Sequence, residues 1–237
     1  MSINNQALII STLKLPGFDQ MNLDLYFLEQ TFSKPEILFT LRFYFWEGDW
    51  VSIGYHQKSI PAHWEELSRK GCIKIVKRPS GGGAVLHSGG ITYALTFKKK
   101  SYELFNYNNV NNWLIKSFGE LGLNLEKGNL KKSTIKDNCF GSSYTCDLVD
   151  ELGFKRVGSA QYRKKGVFLQ HGEVQLDPSR YLWEKLFEEE APPKINLNLS
   201  NEEIIKYLKN SFIESKNNVK FKNMNYKNTD IKKILET

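Results

Sequence analysis

The sequence is poor in cysteine and has no long apolar run. Its 237 residues include three cysteines, Cys72, Cys139 and Cys146, which form neither a CxxC metal motif nor a disulfide framework. No stretch approaches the roughly 18 apolar residues that cross a bilayer, and the N-terminus lacks both a basic start and a small-residue cleavage site. We therefore expect a reduced, cytoplasmic protein with no signal peptide, no membrane partner and no bound metal.

Recognisable nucleic-acid motifs are also missing. The chain carries a net charge of +7 and has a pI of about 9.1, but its lysines are scattered and no helix-turn-helix, zinc finger or RNP-type motif is present. We predict no nucleic-acid partner. The basic charge leaves open a merely solvated surface or one that steers acidic proteins toward it.

The length and composition predict a single domain spanning residues 1–237. A hydrophobic fraction of 41% is enough for a sizeable core. We place that core at about residues 20–215. The segment from about 218 to 237 is rich in lysine and asparagine, so we expect it to be loosely ordered.

Apolar residues recur at helical spacing in several segments. Helices are predicted over residues 21–32, 61–70, 109–121, 183–187 and 200 to about 215. Gly122 is placed to end the third helix. Ser200 and Glu203 have the spacing of a capping box, which marks the start of the last.

Alternating or β-rich runs predict most of the remaining structure. Strands are predicted over residues 38–46, 50–55, 72–78, 91–97, 147–154, 155–161 and 167–176. The short turn at residues 47–49 predicts a hairpin of the first two, the run 91–97 reads as half-buried, and the strands from 147 to 161 read as a second hairpin. The fold class is therefore α+β, a mixed, mostly antiparallel sheet with helices packed on it.

A glycine-rich loop is the strongest local signal for a binding site. Arg78 ends a strand, Gly81, Gly82 and Gly83 follow, and His87 lies in the next strand. Glycines let the backbone approach a ligand closely, and successive amides can hold an anion. The loop matches neither a Walker A loop nor a dinucleotide GxGxxG motif, and a plain flexible turn is the alternative.

A second segment combines a lysine with small residues. Lys155 begins a strand, and Gly158, Ser159 and Ala160 would let a ligand lie flat against the sheet. The lysine could donate to an acyl carbonyl or a phosphate, or it could be an ordinary surface lysine. His171, within an apolar strand, is either a binding residue or a hydrogen-bonded core histidine.

Cys139 is the candidate nucleophile among the cysteines. It lies in a connecting segment with basic neighbours, which can lower a thiol pKa and favour the thiolate. The alternative is a small buried apolar residue. Cys72 and Cys146 lie in or beside strand-like runs and fit that alternative better.

Four ordered motifs together resemble the biotin/lipoate A/B protein ligase superfamily, over residues 20 to 215. The stretch KRPSGGGAVLH resembles the RRxxGGGxVxH signature of lipoate–protein ligases, and GFKRVGSAQYR resembles their GxKxxGSAxxR segment. VFLQHGEVQL resembles the strand that follows, and WVSIGYHQ an upstream xVxxGxxQ strand. The resemblance implies a biotin and lipoate ligase type of catalytic domain, similar to class II aminoacyl-tRNA synthetases.

The resemblance also implies roles for the residues singled out above. Lys155 would contact the activated carbonyl. An acyl or phosphate site would be lined by Arg78, Gly81, Gly82, Gly83, His87, His171 and, on the opposite wall, Gly158, Ser159 and Ala160.

The segment NCFGSSYTCDLV resembles the octanoyltransferases of the LipM type, in which the matching cysteine carries the acyl group. This similarity implies that Cys139 accepts an octanoyl group from octanoyl-acyl carrier protein and passes it to a lysine of a lipoyl-domain protein, such as glycine cleavage H protein or 2-oxoacid dehydrogenase E2. No cofactor would be needed. The chain departs from this branch by an apparent extra residue between Cys139 and Lys155, and by Glu173 in place of the usual serine.

Three alternatives stay open. An ATP-dependent lipoate–protein ligase would need ATP, Mg²⁺ and lipoate and would form a lipoyl-AMP intermediate. An amidotransferase would move the acyl group between two lipoyl proteins, also through a cysteine. A non-catalytic acyl-binding family member would show no turnover.

Overall fold

The computed structural model describes residues 6–99, 110–128, 147–216 and 219–236. Its helices are α1 (Gly17–Ser33), α2 (Ala62–Arg69), α3 (Asn112–Glu120), α4 (Arg180–Phe187), α5 (Asn201–Glu214) and α6 (Asn228–Leu235). Its strands are β1 (Gln6–Ile10), β2 (Leu13–Leu15), β3 (Ile37–Trp46), β4 (Trp50–Ile53), β5 (Lys74–Lys77), β6 (Val85–His87), β7 (Ile91–Lys98), β8 (Leu125–Lys127), β9 (Leu148–Asp150), β10 (Lys155–Lys164), β11 (Val167–Val174) and β12 (Lys220–Met224).

The described strands form two sheets. The larger has nine strands in the order β12-β1-β3-β7-β11-β10-β9-β8, with β2 paired beside β3. The smaller has the order β5-β4-β6. Antiparallel pairings predominate, while β1 pairs in parallel with both of its neighbours. The mixed, mostly antiparallel α+β fold is as predicted.

The central strands of the large sheet are buried on both faces. Alternate residues of β3 and β7, such as Phe43 and Tyr93, face the main core under α3 and α5. The intervening residues, such as Tyr44 and Ala94, face α1. The prediction that residues 91–97 form a half-buried strand is therefore wrong, because α3 and α5 cover one face of the strand and α1 covers the other.

The predicted helices are confirmed within a few residues. Gly122 follows α3 with a positive φ of 87°, as its helix-ending role requires. Ser200 accepts from the Glu203 backbone, and Glu203 accepts in return, so the capping box begins α5 as predicted. Within the described segments, no helix is both long and apolar enough to cross a membrane.

The hairpin predicted around residues 47–49 is wrong. The turn exists, with Gly48 at φ 83°, but β3 pairs within the large sheet and β4 pairs with β5 and β6 in the small one. The chain changes sheets at this turn. Each of the two strands pairs where its apolar residues are buried, with strands that are distant in sequence. The short turn between β3 and β4 does not decide their pairing. The second predicted hairpin, β9 with β10, is confirmed.

The C-terminal segment is ordered where a loose tail was expected. Strand β12 pairs in parallel with β1 from Lys220 to Met224, and Ile231 of α6 is 1% exposed in a cluster with α1. The expectation is wrong because this lysine-rich segment also contains apolar residues that pack against the body of the protein. Phe221 packs against the main core, and Met224 and Ile231 pack in the cluster with α1.

Candidate active site

A cleft lies between the two sheets, under α1. Residues of β3, β7, β10 and β11 form its floor, and β4 and β6 of the small sheet form the opposing wall. About 360 Å³ of space free of protein atoms lies in the cleft, and part of that space is open solvent. Its lining is mostly apolar in area and consists of Met21, Tyr44, Trp46, Ser52, Arg78, Val85, His87, Thr92, Gly158, Ser159, Ala160, His171, Gly172 and Glu173.

Arg78 holds the glycine-rich loop from the inside. Its guanidinium donates to the carbonyl of Ser52 at 2.8 Å, of Gly81 at 2.7 Å and of Gly83 at 2.6 Å. The side chain is buried, so these bonds are shielded from water. Arg78 therefore fixes the loop against β4 while it also lines the cleft.

The loop also depends on close backbone contact. Gly82 has a φ of 94°, and its carbonyl oxygen lies 1.9 Å from where a Cβ at Gly54 would stand. Any side chain at residue 54 would push the loop away. The glycine of the WVSIGYHQ motif is thus explained by its contact with the glycine-rich loop.

His87 links the two sheets. Its Nδ1 lies 2.8 Å from the Glu173 carboxylate on β11, and its Nε2 lies 2.8 Å from the Ser52 hydroxyl on β4. Thr92 donates to the same Glu173 oxygen. Trp46 stacks on the imidazole, with ring centroids 3.9 Å apart. Burial lowers the pKa of His87, and the Glu173 carboxylate opposes that shift.

His171 makes a second link between the sheet and the loop. Its Nε2 lies 2.5 Å from the Ser80 hydroxyl and its Nδ1 lies 2.9 Å from the Asp24 carboxylate of α1. Asp24 also pairs with Arg42 at 3.3 Å and accepts from Tyr44 at 3.2 Å. Burial, followed by the Asp24 charge, raises the pKa of Tyr44 well above its usual value. The five side chains of this network are all buried.

Lys155 forms a buried ion pair at the start of β10. Its Nζ lies 2.8 Å from the Asp147 carboxylate, and both side chains are 3% exposed. The other Asp147 oxygen accepts the Ser159 backbone N–H at 3.3 Å. Asp147 therefore joins Lys155 to the part of β10 that forms the cleft floor. Lys155 is therefore not an ordinary surface lysine, which was the alternative prediction.

Six of the predicted site residues lie together in the cleft. Arg78, His87, Gly158, Ser159, Ala160 and His171 line the cleft, and Lys155 begins β10, the strand that carries three of these residues. Gly81, Gly82 and Gly83 lie beside the cleft and do not belong to its lining, so their contact with a ligand stays a prediction. Cys139 lies outside the described residues.

Several residues that line the cleft or hold its lining residues in place are not among the predicted site residues. Asp24 is a charged residue at a core position of a helix, and Glu173 is a charged residue in an apolar strand. Each is a sequence signal for a buried polar site. Asp147 lies at the start of a predicted strand, and its ion pair with Lys155 is not predicted. In the sequence, Trp46 is indistinguishable from an ordinary core aromatic residue, so its stacking on His87 is not predicted. In the described part of the chain, no group of three potential metal ligands is placed to hold an ion.

The comparison with known families identifies the class. Residues 16–205 match the model of the lipoyl protein ligase A/B catalytic domain. The chain belongs to this family of catalytic domains.

Its sequence relatives include octanoyltransferases named LipM. That of Brevibacillus brevis is 37% identical over a match covering 62% of this chain and 58% of the relative. That of Halalkalibacterium halodurans is 32% identical, and the match covers 73% of this chain and 74% of the relative. The chain thus spans somewhat more than half the length of the first relative.

Solved structures share the fold. Protein Ta0514 of T. acidophilum, solved with bound lipoic acid, superposes with a TM-score of 0.73 at 19% identity, covering 98% of this chain and 93% of that one. A lipoate-protein ligase A bound with ATP gives a TM-score of 0.72 at 19% identity with the same coverage. The biotin and lipoate ligase type of fold predicted from the motifs is confirmed.

Proposed function

We propose that this protein is an octanoyltransferase of protein lipoylation. It moves an octanoyl group from octanoyl-acyl carrier protein, through a Cys139 thioester, to the ε-amine of a lysine in a lipoyl-domain protein. The observation that carries the proposal is the mostly apolar cleft beside the buried Lys155–Asp147 pair, in a chain whose relatives are LipM octanoyltransferases. Such a cleft suits a hydrocarbon chain, which gains free energy as its surface leaves water.

The reaction has two acyl transfers. The Cys139 thiolate attacks the thioester carbonyl of the donor, the new carbon–sulfur bond forms, and the carrier thiolate leaves and takes a proton. The ε-amine of the acceptor lysine then attacks octanoyl-Cys139. The amide forms, the amine loses its proton, and the Cys139 thiolate is regenerated. The product amide is more stable than the thioester, so the net transfer is downhill without ATP.

Lys155 stabilises charge on the reacting carbonyl. Each transfer passes through a tetrahedral intermediate with a negative oxygen, and a fixed cationic donor lowers the energy of that state. Asp147 holds Lys155 Nζ in one position through the 2.8 Å ion pair. Backbone amides of the loop at Gly81, Gly82 and Gly83 would donate to the same oxygen.

The partners follow from the reaction. The donor is acyl carrier protein, and the acceptor is a lipoyl-domain protein such as glycine cleavage H protein or a 2-oxoacid dehydrogenase E2. Both types of partner tend to be acidic, and the net charge of +7 suits them. A fold neighbour comes from the structural analysis of an archaeal lipoylation system, a bi-partite lipoate protein ligase and its E2 lipoyl domain from Thermoplasma acidophilum. ATP, Mg²⁺ and free lipoate are not required.

Intact-protein mass spectrometry tests the proposal. The protein is mixed with octanoyl-acyl carrier protein in the absence of ATP. The wild type should gain a hydroxylamine-labile octanoyl adduct, and Cys139→Ala should gain none. Cys72→Ala is the matched control, because Cys72 packs partly buried against the small-sheet core, and it should gain the adduct.

The alternatives give different results. A wild type that gains no adduct, and that modifies a lipoyl domain when free lipoate and ATP are added, is a ligase. Adduct formation from an octanoylated lipoyl protein, and not from the carrier protein, identifies an amidotransferase. Full transfer by Cys139→Ala would remove the thioester route.

A further inference from the structure

A hydrogen-bonded contact closes the cleft between the two sheets. Glu173 belongs to β11 of the large sheet, and His87 belongs to β6 of the small one. Their 2.8 Å contact crosses the space between the sheets, and both residues line the cleft. A hydrocarbon chain lying in the cleft would therefore meet this contact as a wall.

The Glu173 carboxylate is held in one place. It is 2% exposed, and one oxygen accepts from both His87 and Thr92. The other oxygen lies 2.1 Å from where a Cβ at Gly90 would stand. Gly90 therefore provides the space that the carboxylate occupies, because any side chain there would displace it.

The wall is complete without a ligand. His87 uses both ring nitrogens, toward Glu173 and Ser52, and Trp46 stacks on its face. A buried polar group whose bonds are already made does not require a polar partner from the substrate. The contact therefore acts on a bound chain through its position and size.

We propose that Glu173 is a specificity-determining residue that sets the longest straight acyl chain the cleft accepts. The inference rests on the proposed function, because it takes the cleft as the acyl site. Chains up to the wall gain affinity with every added methylene. Longer chains must leave part of their length outside the cleft or displace the carboxylate.

Isothermal titration calorimetry with neutral, straight-chain primary amides of increasing length is the test. In the wild type, affinity should rise about fourfold per methylene and then stop rising. In Glu173→Ser, which replaces the carboxylate with a smaller hydroxyl, the rise should continue by about two further methylenes. Glu173→Asp is shorter by one methylene and keeps the charge, so it should show a smaller extension and serves if the serine variant does not fold.

Two controls separate size from charge and from general effects. Glu173→Gln keeps the size of the side chain and removes its charge, and it should keep the wild-type length limit. Glu126→Ser makes the same change as the test variant at an exposed site on β8 and should also keep that limit. An unchanged limit in Glu173→Ser or, if that variant does not fold, in Glu173→Asp overturns the inference, and so does a shifted limit in Glu173→Gln.

The outcomes also separate this inference from the proposed function. Amide binding with a movable limit, but no adduct on Cys139, would support the wall and reject the octanoyltransferase. An adduct on Cys139 with an immovable limit would reject the wall alone. A wild type that binds no amide of any length overturns the inference, because the cleft would not be an acyl site.

Discussion

Side chains with opposite charges meet in or beside the cleft. Asp24 pairs with Arg42 and Lys155 pairs with Asp147, while the Glu173 carboxylate accepts a hydrogen bond from the His87 imidazole. All six side chains are buried. Removing charges from water is costly, and a buried pair often adds little net stability compared with apolar residues. Their concentration around one cavity is therefore better explained by the chemistry of the cleft than by stability.

Replacing Lys155 should affect both catalysis and stability. Lys155→Met removes the proposed oxyanion donor, so transfer should slow by about 100-fold or more. It also removes the positive charge that balances the buried Asp147, which should lower the free energy of unfolding by about 3–5 kcal/mol. Single-turnover transfer rates and denaturant unfolding measure the two effects.

Lys164→Met is the control for this change. Lys164 lies on the same strand, half exposed, with its Nζ 3.7 Å from Glu29. Exposed pairs contribute about 0–1 kcal/mol, and the side chain is far from the cleft lining. A Lys155→Met protein as active as Lys164→Met would remove Lys155 from the mechanism.

Because of His87, the free energy of unfolding should fall in mild acid. Burial lowers its pKa in the folded protein, whereas an imidazole in the unfolded chain gains its proton near about pH 6.5. Below that pH the unfolded state binds more protons, so the free energy of unfolding falls as the pH drops toward the folded pKa. One such group contributes a slope of at most about 1.4 kcal/mol per pH unit.

Unfolding of His87→Gln across the range from about pH 7.5 to 5 checks this. The variant should lose less stability on acidification than the wild type. His56→Gln removes an exposed imidazole and should leave the wild-type pH dependence in place. Equal slopes in wild type and His87→Gln would show that other groups govern acid stability.

Local sequence predicted the cleft residues that lie in recognisable motifs. It did not predict their partners, because those are distant in sequence. Asp24 and His171 are 147 positions apart, and His87 and Glu173 are 86 positions apart. Such contacts depend on the order of strands in the sheet, which a single sequence does not encode locally.

At the scale of elements, the pattern of apolar residues predicted which segments are strands and helices but not how they pair. The strands predicted over residues 38–46 and 50–55 are confirmed as β3 and β4, yet they lie in different sheets. This change of sheet creates the cleft, because it sends β4 away from the large sheet to build the opposite wall. The error in the predicted topology therefore falls at the candidate active site.

The C-terminal helix should contribute measurable stability. Ile231 of α6 is 1% exposed in a cluster that includes residues of α1, so Ile231→Ala would create a cavity in that cluster. We expect a loss of about 2–5 kcal/mol in the free energy of unfolding. Chemical denaturation measures it.

Lys232→Ala is the neighbouring control. Lys232 is exposed on the same helix, so its loss should change stability by less than about 0.5 kcal/mol. If the two variants unfold alike, α6 does not dock on α1 and the segment after 218 is a loose tail.

At the scale of the whole molecule, the net charge of +7 acts over distances longer than any single contact. An acidic carrier protein approaching this chain would be attracted before it docks. Attraction of this kind speeds encounter and is screened by salt, whereas contacts inside the cleft are much less affected.

Salt should therefore slow the reaction of protein substrates selectively. Raising the ionic strength from about 0.05 to 0.5 M shortens the range of the field to a few ångströms. We expect kcat/KM for octanoyl-acyl carrier protein to fall by about tenfold or more with little change in kcat. A neutral octanoyl thioester of a small thiol is the control, and its kcat/KM should stay nearly constant, because no field steers it.

If both donors respond alike, salt acts on the chemistry or the fold and the basic surface does not guide the carrier protein. If neither responds, the basic charge is a solvated surface and docking depends on short-range contacts.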